Sequence, residues 1–248
     1  LDEQAFNPKA DYRFQAFGET AFLRFFKVKA KMNFILDGLL QAIQLLIHGD
    51  GETYSAVYAT IRVSTYSMVV SLLIGIPAGF LMGHHDFLWK KHIRTITDTL
   101  MSLPTVLVGL LVYAFLTSRG PLGEYGLLFT LEGIAIGQAI LALPIVIALT
   151  ASAVESMDDK LRVTLISLGA SRRQVLCSTL WEARYGILAA SMNAFGRVLT
   201  EVGIAMMVGG NIKWHTRTIT TAIALETNKG EFVTGVALGI VLMAIAFI

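Results

Sequence analysis

Charge and cysteine are what this 248-residue sequence is short of. Cys177 is its single cysteine, so neither an internal disulfide nor a cysteine-based zinc site can form, and packing is its expected role. Charged residues make up 15% against 54% hydrophobic ones, a balance few soluble domains share. The formal net charge of +2 is too small to mark a nucleic-acid binder, and the basic residues sit in short clusters rather than along one helix face. The sequence also has no phosphate-binding glycine loop, no paired carboxylates, and no histidine near Ser178 or Ser191. His84, His85 and Asp86 are merely adjacent, which is a poor arrangement for a metal, so no metal site is expected. These absences describe a chain that binds no cofactor of its own and carries out no chemistry.

Apolar sequence is abundant, and it is gathered into runs. Residues 56–83, 98–117, 133–155, 185–209 and 232–248 approach or exceed the roughly 20 residues a helix needs to cross about 30 Å of hydrocarbon. Gly75-Ile76-Pro77, Leu103-Pro104 and Leu143-Pro144 lie inside them and are expected to kink rather than end the helices, because neighbouring helices can satisfy the freed backbone groups. Residues 33–48 form a weaker run in which Asp37, Gln41 and Gln44 share one face. That segment is either a short crossing or an amphipathic helix in the interface, next to lipid in both cases. Residues 1–31 are polar, aromatic and basic, and are expected to be an extension ahead of a native start at Met32. The fold class is therefore an all-α integral membrane protein with five to six spanning helices, in a single domain over 32–248.

Orientation follows from the basic residues. Lys90, Lys91 and Arg94 lie in one loop, and Lys160, Arg162, Arg172, Arg173 and Arg184 in another, which places both loops on the cytoplasmic side. Arg24, Lys27, Lys29 and Lys31 would join them if the first run crosses, leaving the acidic stretch 50–52 outside. Lys213, Arg217 and Lys229 in the outer loop 210–231 run against the bias without reversing it.

The inner loop 156–184 is too long for a simple connection and is patterned like two short helices around Gly169, so it is expected to dock a partner. Its core, Leu168-Gly169-Ala170-Ser171-Arg172-Arg173, resembles the conserved cytoplasmic loop of ABC importer permeases. The resemblance implies a short coupling helix that fits a cleft on a separate ATPase subunit, where ATP is bound and hydrolysed. The family's Glu-Ala-Ala triplet is replaced here by Val163-Thr164-Leu165, and its later Leu-Pro by Trp181-Glu182.

Arg197 and Glu201, four residues apart in one apolar run, are placed to pair on a helical face. They read either as a structural ion pair or as residues of a translocation path. Beyond them come Gly209-Gly210-Asn211, which should end a span and turn the chain, and Thr216-Arg217-Thr218-Ile219-Thr220-Thr221. Thr216 and Arg217 supply hydroxyl and guanidinium donors suited to an oxyanion, or simply to water in an ordinary loop. Arg62 invites the same thought, with snorkelling to the interface as its simpler account. These strings, with Phe195-Gly196-Arg197 and Glu201-Val202-Gly203, are similar to the tungstate branch of the molybdate and tungstate permeases. That resemblance implies a type I ABC importer transmembrane domain working as a homodimer, with two ATPase subunits and an extracytoplasmic oxyanion-binding protein. A passive channel or ion-coupled carrier is the competing reading, and it would call for intramembrane acids without a neighbouring arginine.

Overall fold

A computed structural model describes residues 51–157 and 159–247, with residues 40, 43 and 44; residues 159–162 are described by backbone alone. The extension 1–31 and most of the weak run 33–48 lie outside the described residues. The described chain is helical throughout: α1 Gly51–His84, α2 Lys90–Met101, α3 Thr105–Leu116, α4 Leu131–Glu155, α5 Asp159–Ser167, α6 Arg172–Glu182, α7 Arg184–Leu199, α8 Gly203–Gly209, α9 Ile219–Lys229 and α10 Phe232–Ala246. A single 3₁₀ turn, Gly123–Tyr125, interrupts the link from α3 to α4.

Two of the apolar runs hold as unbroken helices long enough to cross a membrane, α1 and α4. Pro77 and Pro144 lie inside them, as expected for prolines supported by neighbouring helices. The run 98–117 behaves differently. It breaks at Ser102–Pro104, and α2 and α3 meet there at 98°. Proline has no N–H to give and restricts the residue before it, and here the composition also switches from the charged α2 to the wholly apolar α3. Leu103-Pro104 is thus an end and not a kink. The run 185–209 is also divided, at Thr200–Val202, into α7 and the short α8. α10 fills the last run, and α9 folds back beside it through Gly230 to share the apolar cluster of Ile219, Ala222, Leu238 and Val241.

The α1–α4 pair is the packed centre of the chain. Without water, helix association depends on close backbone approach and interhelical hydrogen bonds, which small residues permit. The buried face of α1 supplies them at near-fourfold spacing in Ala56, Thr60, Ser64, Ser67, Ser71, Gly75 and Gly79. Ser71 Oγ reaches across to the Ala139 carbonyl at 3.3 Å. A Cβ on Gly75, Gly79 or Gly83 would lie 2.8, 2.6 or 2.7 Å from Val146 Cγ1, the Ile147 carbonyl oxygen or the Ala151 carbonyl oxygen. The opposite face of α1 shows Val69, Val70, Leu73 and Ile74, as a lipid-facing surface should. Gly79→Leu is expected to force the pair apart and cost about 1–3 kcal/mol. Gly239→Ala, where a Cβ meets nothing within 4 Å, should leave thermal stability in detergent unchanged.

Candidate functional site: coupling hairpin, outer clamp and intramembrane break

The inner loop folds as the two helices anticipated, with Gly169 between them. Gly169 stands at φ +83°, and the N–H groups of Gly169 and Ala170 return to the carbonyls of Ile166 and Leu165, both at 3.0 Å, closing the end of α5. Ser171 then starts α6 with a capping box: its hydroxyl accepts from Gln174 N–H at 3.4 Å, and Gln174 Oε1 accepts from Ser171 N–H at 2.7 Å. The Leu-Gly-Ala-Ser string is therefore a stop followed by a start. Leu168 is 79% exposed at the tip, with Val163 and Ile166 exposed beside it, an apolar surface on an aqueous loop. Arg172 and Arg173 are exposed at the first turn of α6. Cys177 on α6 is exposed and not packed, correcting that expectation.

A network of charges holds the base of the hairpin. Glu155, the last residue of α4, takes Lys90 at 3.2 Å and Arg94 at 3.0 Å, one on each carboxylate oxygen. Lys90 also meets Asp86 at 3.1 Å, and Arg94 meets Asp98 at 3.4 Å. Burial alone would lower the Lys90 ammonium, but its hydrogen bonds to Asp86 and Glu155, with their charges, hold it above the usual lysine range. The start of α2 is thereby tied to the point where α4 hands over to the hairpin.

On the outer face the Gly-Gly-Asn turn forms as expected, with Gly210 at φ +69° and Asn211 at +51°. The residues around it are not loosely hydrated. Thr216 is buried, donates to the Gly209 carbonyl at 2.5 Å, and accepts from Ile212 N–H at 3.1 Å. Arg217 donates to Asn211 Oδ1 at 3.2 Å and to Glu52, which also takes Lys213 at 2.6 Å. Thr216 is spoken for within its own loop and Arg217 by the clamp on Glu52 at the start of α1. Arg62 likewise pairs with Glu132 at 2.9 Å.

Deeper in, the break at Thr200–Val202 separates the residues expected to pair. Arg197 stays on α7, exposed and without an ion pair among the described residues. Glu201 lies past the helix end, only 5% exposed, its Oε1 accepting from Ile204 N–H at 3.1 Å. The Arg197–Glu201 pair is therefore not made, because the helix it presupposes is interrupted. Gly203 leaves room for Glu201 Oε1 and Thr105 Oγ1, 3.1 and 3.2 Å from where its Cβ would be, so the two helix breaks face each other. The N-terminus of α9 closes the same region. Thr218 and Thr221 form its capping box, Ile219 N–H donates to Thr60 Oγ1 at 2.9 Å, and Thr220 donates to the Glu201 carbonyl at 3.1 Å. Thr60 is nine residues into the 34-residue α1, roughly 13 Å along it from its outer end, so this polar cluster sits within the helix bundle and not at its tip.

The sequence showed several of these residues without their roles. The small-residue face of α1 was visible as a spacing of four, Glu52 read only as part of an acidic loop, and nothing marked Thr60 or Glu155.

Apolar helices, two of them long enough to cross a membrane and others broken part-way, with an exposed helix-glycine-helix hairpin at one end, make up a membrane-embedded bundle. The chain belongs to the family of binding-protein-dependent transport system inner membrane components, which matches residues 75–248. It is 49% identical over 216 residues to the tungstate uptake system permease protein TupB of Campylobacter jejuni, covering 87% of this chain and 90% of that one. It is 35% identical over 216 residues to the protein of the same name from Peptoclostridium acidaminophilum, covering 87% and 95%. The molybdenum transport system permease protein ModB of Escherichia coli is 31% identical over 188 residues, covering 72% of this chain and 82% of that one. Among solved structures, a bacterial alginate ABC transporter in complex with a periplasmic protein superimposes with TM-score 0.66 at 19% identity, over 96% of this chain and 91% of that one. An amino acid ABC transporter gives 0.56 at 16%, over 82% and 89%. The fold is that of a type I importer permease, and the chain is a multi-pass inner-membrane component.

Glu201→Gln retains an oxygen for Ile204 N–H and is expected to stay within about 1 kcal/mol of wild type. Glu201→Leu strands a buried donor and should cost about 1–3 kcal/mol. Thermal unfolding in detergent distinguishes this capping role from an ion pair, for which both substitutions would be equally damaging.

Proposed function

We propose that this chain is the permease subunit of an ATP-binding-cassette importer for tungstate or the closely similar molybdate. It acts as a homodimer with two ATPase subunits and an extracytoplasmic binding protein, and ATP is bound and hydrolysed on the ATPases alone. The substrate class is supported by the tungstate and molybdenum permeases to which the chain is similar. The observation that carries the mechanism is the hairpin of α5 and α6, whose exposed Leu168, Val163 and Ile166 surround the Gly169 turn. Apolar surface on a rigid, capped helix pair suits a cleft on a partner protein and can carry rigid-body motion.

ATP-driven closure of the two ATPases draws the paired hairpins together. The motion passes from α6 into α7 and from α5 into α4, whose end is locked to α2 by Lys90 and Arg94. Opening the bundle outward admits the anion from the binding protein, and hydrolysis returns it to the inward-open form.

Gly169→Asp tests the coupling. A Cβ there meets nothing within 4 Å, so the fold should persist, but φ +83° disfavours a side chain by roughly 1–2 kcal/mol and alters the tip. The variant is expected at normal abundance, with weakened capture of the ATPase subunit and tungstate uptake reduced on the order of tenfold. Undiminished capture and uptake would remove the hairpin from the mechanism. Uptake that needs no ATPase would make the chain a channel or carrier.

A further inference from the structure

We propose that Arg197 is the cationic group an oxyanion meets while crossing the membrane, and that the break at Thr200–Val202 keeps Glu201 away from it. The inference rests on the importer reading above and names the residue that handles the anion within it.

The face of α7 that the rest of the described chain leaves uncovered is unlike that of α1. On α1 the uncovered residues between Ile61 and Leu81 are apolar apart from Thr65 and the hydroxyl of Tyr66, with Val69, Val70, Leu73 and Ile74 among them. On α7 they begin apolar near the cytoplasm, with Leu188 and Met192, and then turn polar with Asn193, Gly196, Arg197 and Thr200. The opposite face, Ala190, Ala194 and Val198, is buried against the bundle, so the polar stripe cannot turn inward. Arg197 lies thirteen residues beyond Arg184, roughly 20 Å along the helix from its inner end, which measured from that end is more than half of about 30 Å of hydrocarbon. A charged residue at that depth costs about 2.5–3.5 kcal/mol if it faces lipid, and such residues border water-filled cavities instead.

The neighbouring donors are already committed. Thr200 Oγ1 donates to the Gly196 carbonyl at 2.8 Å, and Asn193 Nδ2 gives one hydrogen to the Ala189 carbonyl at 2.9 Å. The Arg197 carbonyl accepts from Thr200 Oγ1 at 3.4 Å, but its guanidinium has no hydrogen-bond or ion-pair partner among the described residues. A guanidinium with its planar fork unengaged is suited to two oxygens of a tetrahedral anion. Among the described residues, three cations on the outer side are balanced by the chain's own acids, Arg62 by Glu132 and Arg217 and Lys213 by Glu52. Glu201 would balance Arg197 in the same way if α7 ran on unbroken, since four residues of helix would bring them together. The carboxylate instead caps α8, 95% buried, on the far side of the break. The arrangement leaves the Arg197 guanidinium without a carboxylate partner among the described residues, while Glu201 is held across the break as a cap on α8.

The test uses the importer reconstituted in vesicles with its ATPase and tungstate-loaded binding protein, reading tungstate uptake and ATP hydrolysis together. Arg197→Gln is expected to assemble normally and keep its stimulation by the loaded binding protein, while uptake falls on the order of tenfold or more. Arg197→Lys should recover part of that loss, because charge returns without the planar fork. Uptake by Arg197→Gln equal to wild type overturns the proposal and leaves the importer reading intact. So does loss of dimer or ATPase capture in both variants, which would make Arg197 a contact to the second copy. A wild-type importer that moves no oxyanion overturns the importer reading together with it.

Discussion

Backbone that leaves the helix at membrane depth must find partners inside the protein, because lipid offers none. The most unusual parts of this chain follow from that constraint. Its chain breaks at Ser102–Pro104 and Thr200–Val202 face each other, and the start of α9 meets them at the same level. The orphaned groups there are answered by the Glu201 carboxylate, the hydroxyls of Thr60 and Thr220, and the reciprocal cap of Thr218 and Thr221. Single intramembrane hydrogen bonds average only about 0.6 kcal/mol, so the cluster holds by number and by the alternative of stranded donors. A junction built this way is fixed in geometry but weak enough per bond to rearrange.

Around that junction the closely packed and the interrupted helices divide clearly. α1 and α4 are in backbone contact along Gly75, Gly79 and Gly83, and bodies packed so closely move as one. The helices that meet at the break, α3, α7 and α8, include the only segments of the described bundle whose apolar run is interrupted mid-membrane. The Glu155 network ties α2 to the rigid pair at the inner face, while the Glu52 clamp ties the outer loop to the start of α1. α6 is joined to α7 with no intervening loop, since Ala183 is both the end of one helix and the beginning of the next.

Much of the architecture was legible in the residues. The apolar runs that became α1 and α4, the glycine-centred hairpin and the Gly-Gly-Asn turn each depend on local chemistry, and each appears where that chemistry placed it. What could not be read was which proline interrupts a helix. Pro77 and Pro144 lie in helices buried against each other, whereas Pro104 coincides with a change from charged to apolar sequence that separates two differently placed helices. The break at 200–202 was hidden because hydrophobicity continues through it, and a spacing of four between Arg197 and Glu201 implies a pair only on an unbroken helix. The outer threonines could be read as donors to an oxyanion or to water. Their hydroxyls look available in a sequence, and only the positions of the Gly209 and Glu201 carbonyls show those of Thr216 and Thr220 used.

The central claim is that paired hairpins transmit ATPase closure to this bundle. Cys177 offers a direct measurement, since it is the single cysteine and is exposed on α6. Spin labels on Cys177 of one protomer and its partner, in the assembled transporter in lipid, report the separation of the two hairpins. The account predicts one interprotomer distance without nucleotide and a shorter one with a non-hydrolysable ATP analogue bound to the ATPases. A distance indifferent to nucleotide, in a complex shown to bind it, would contradict transmission through the hairpins.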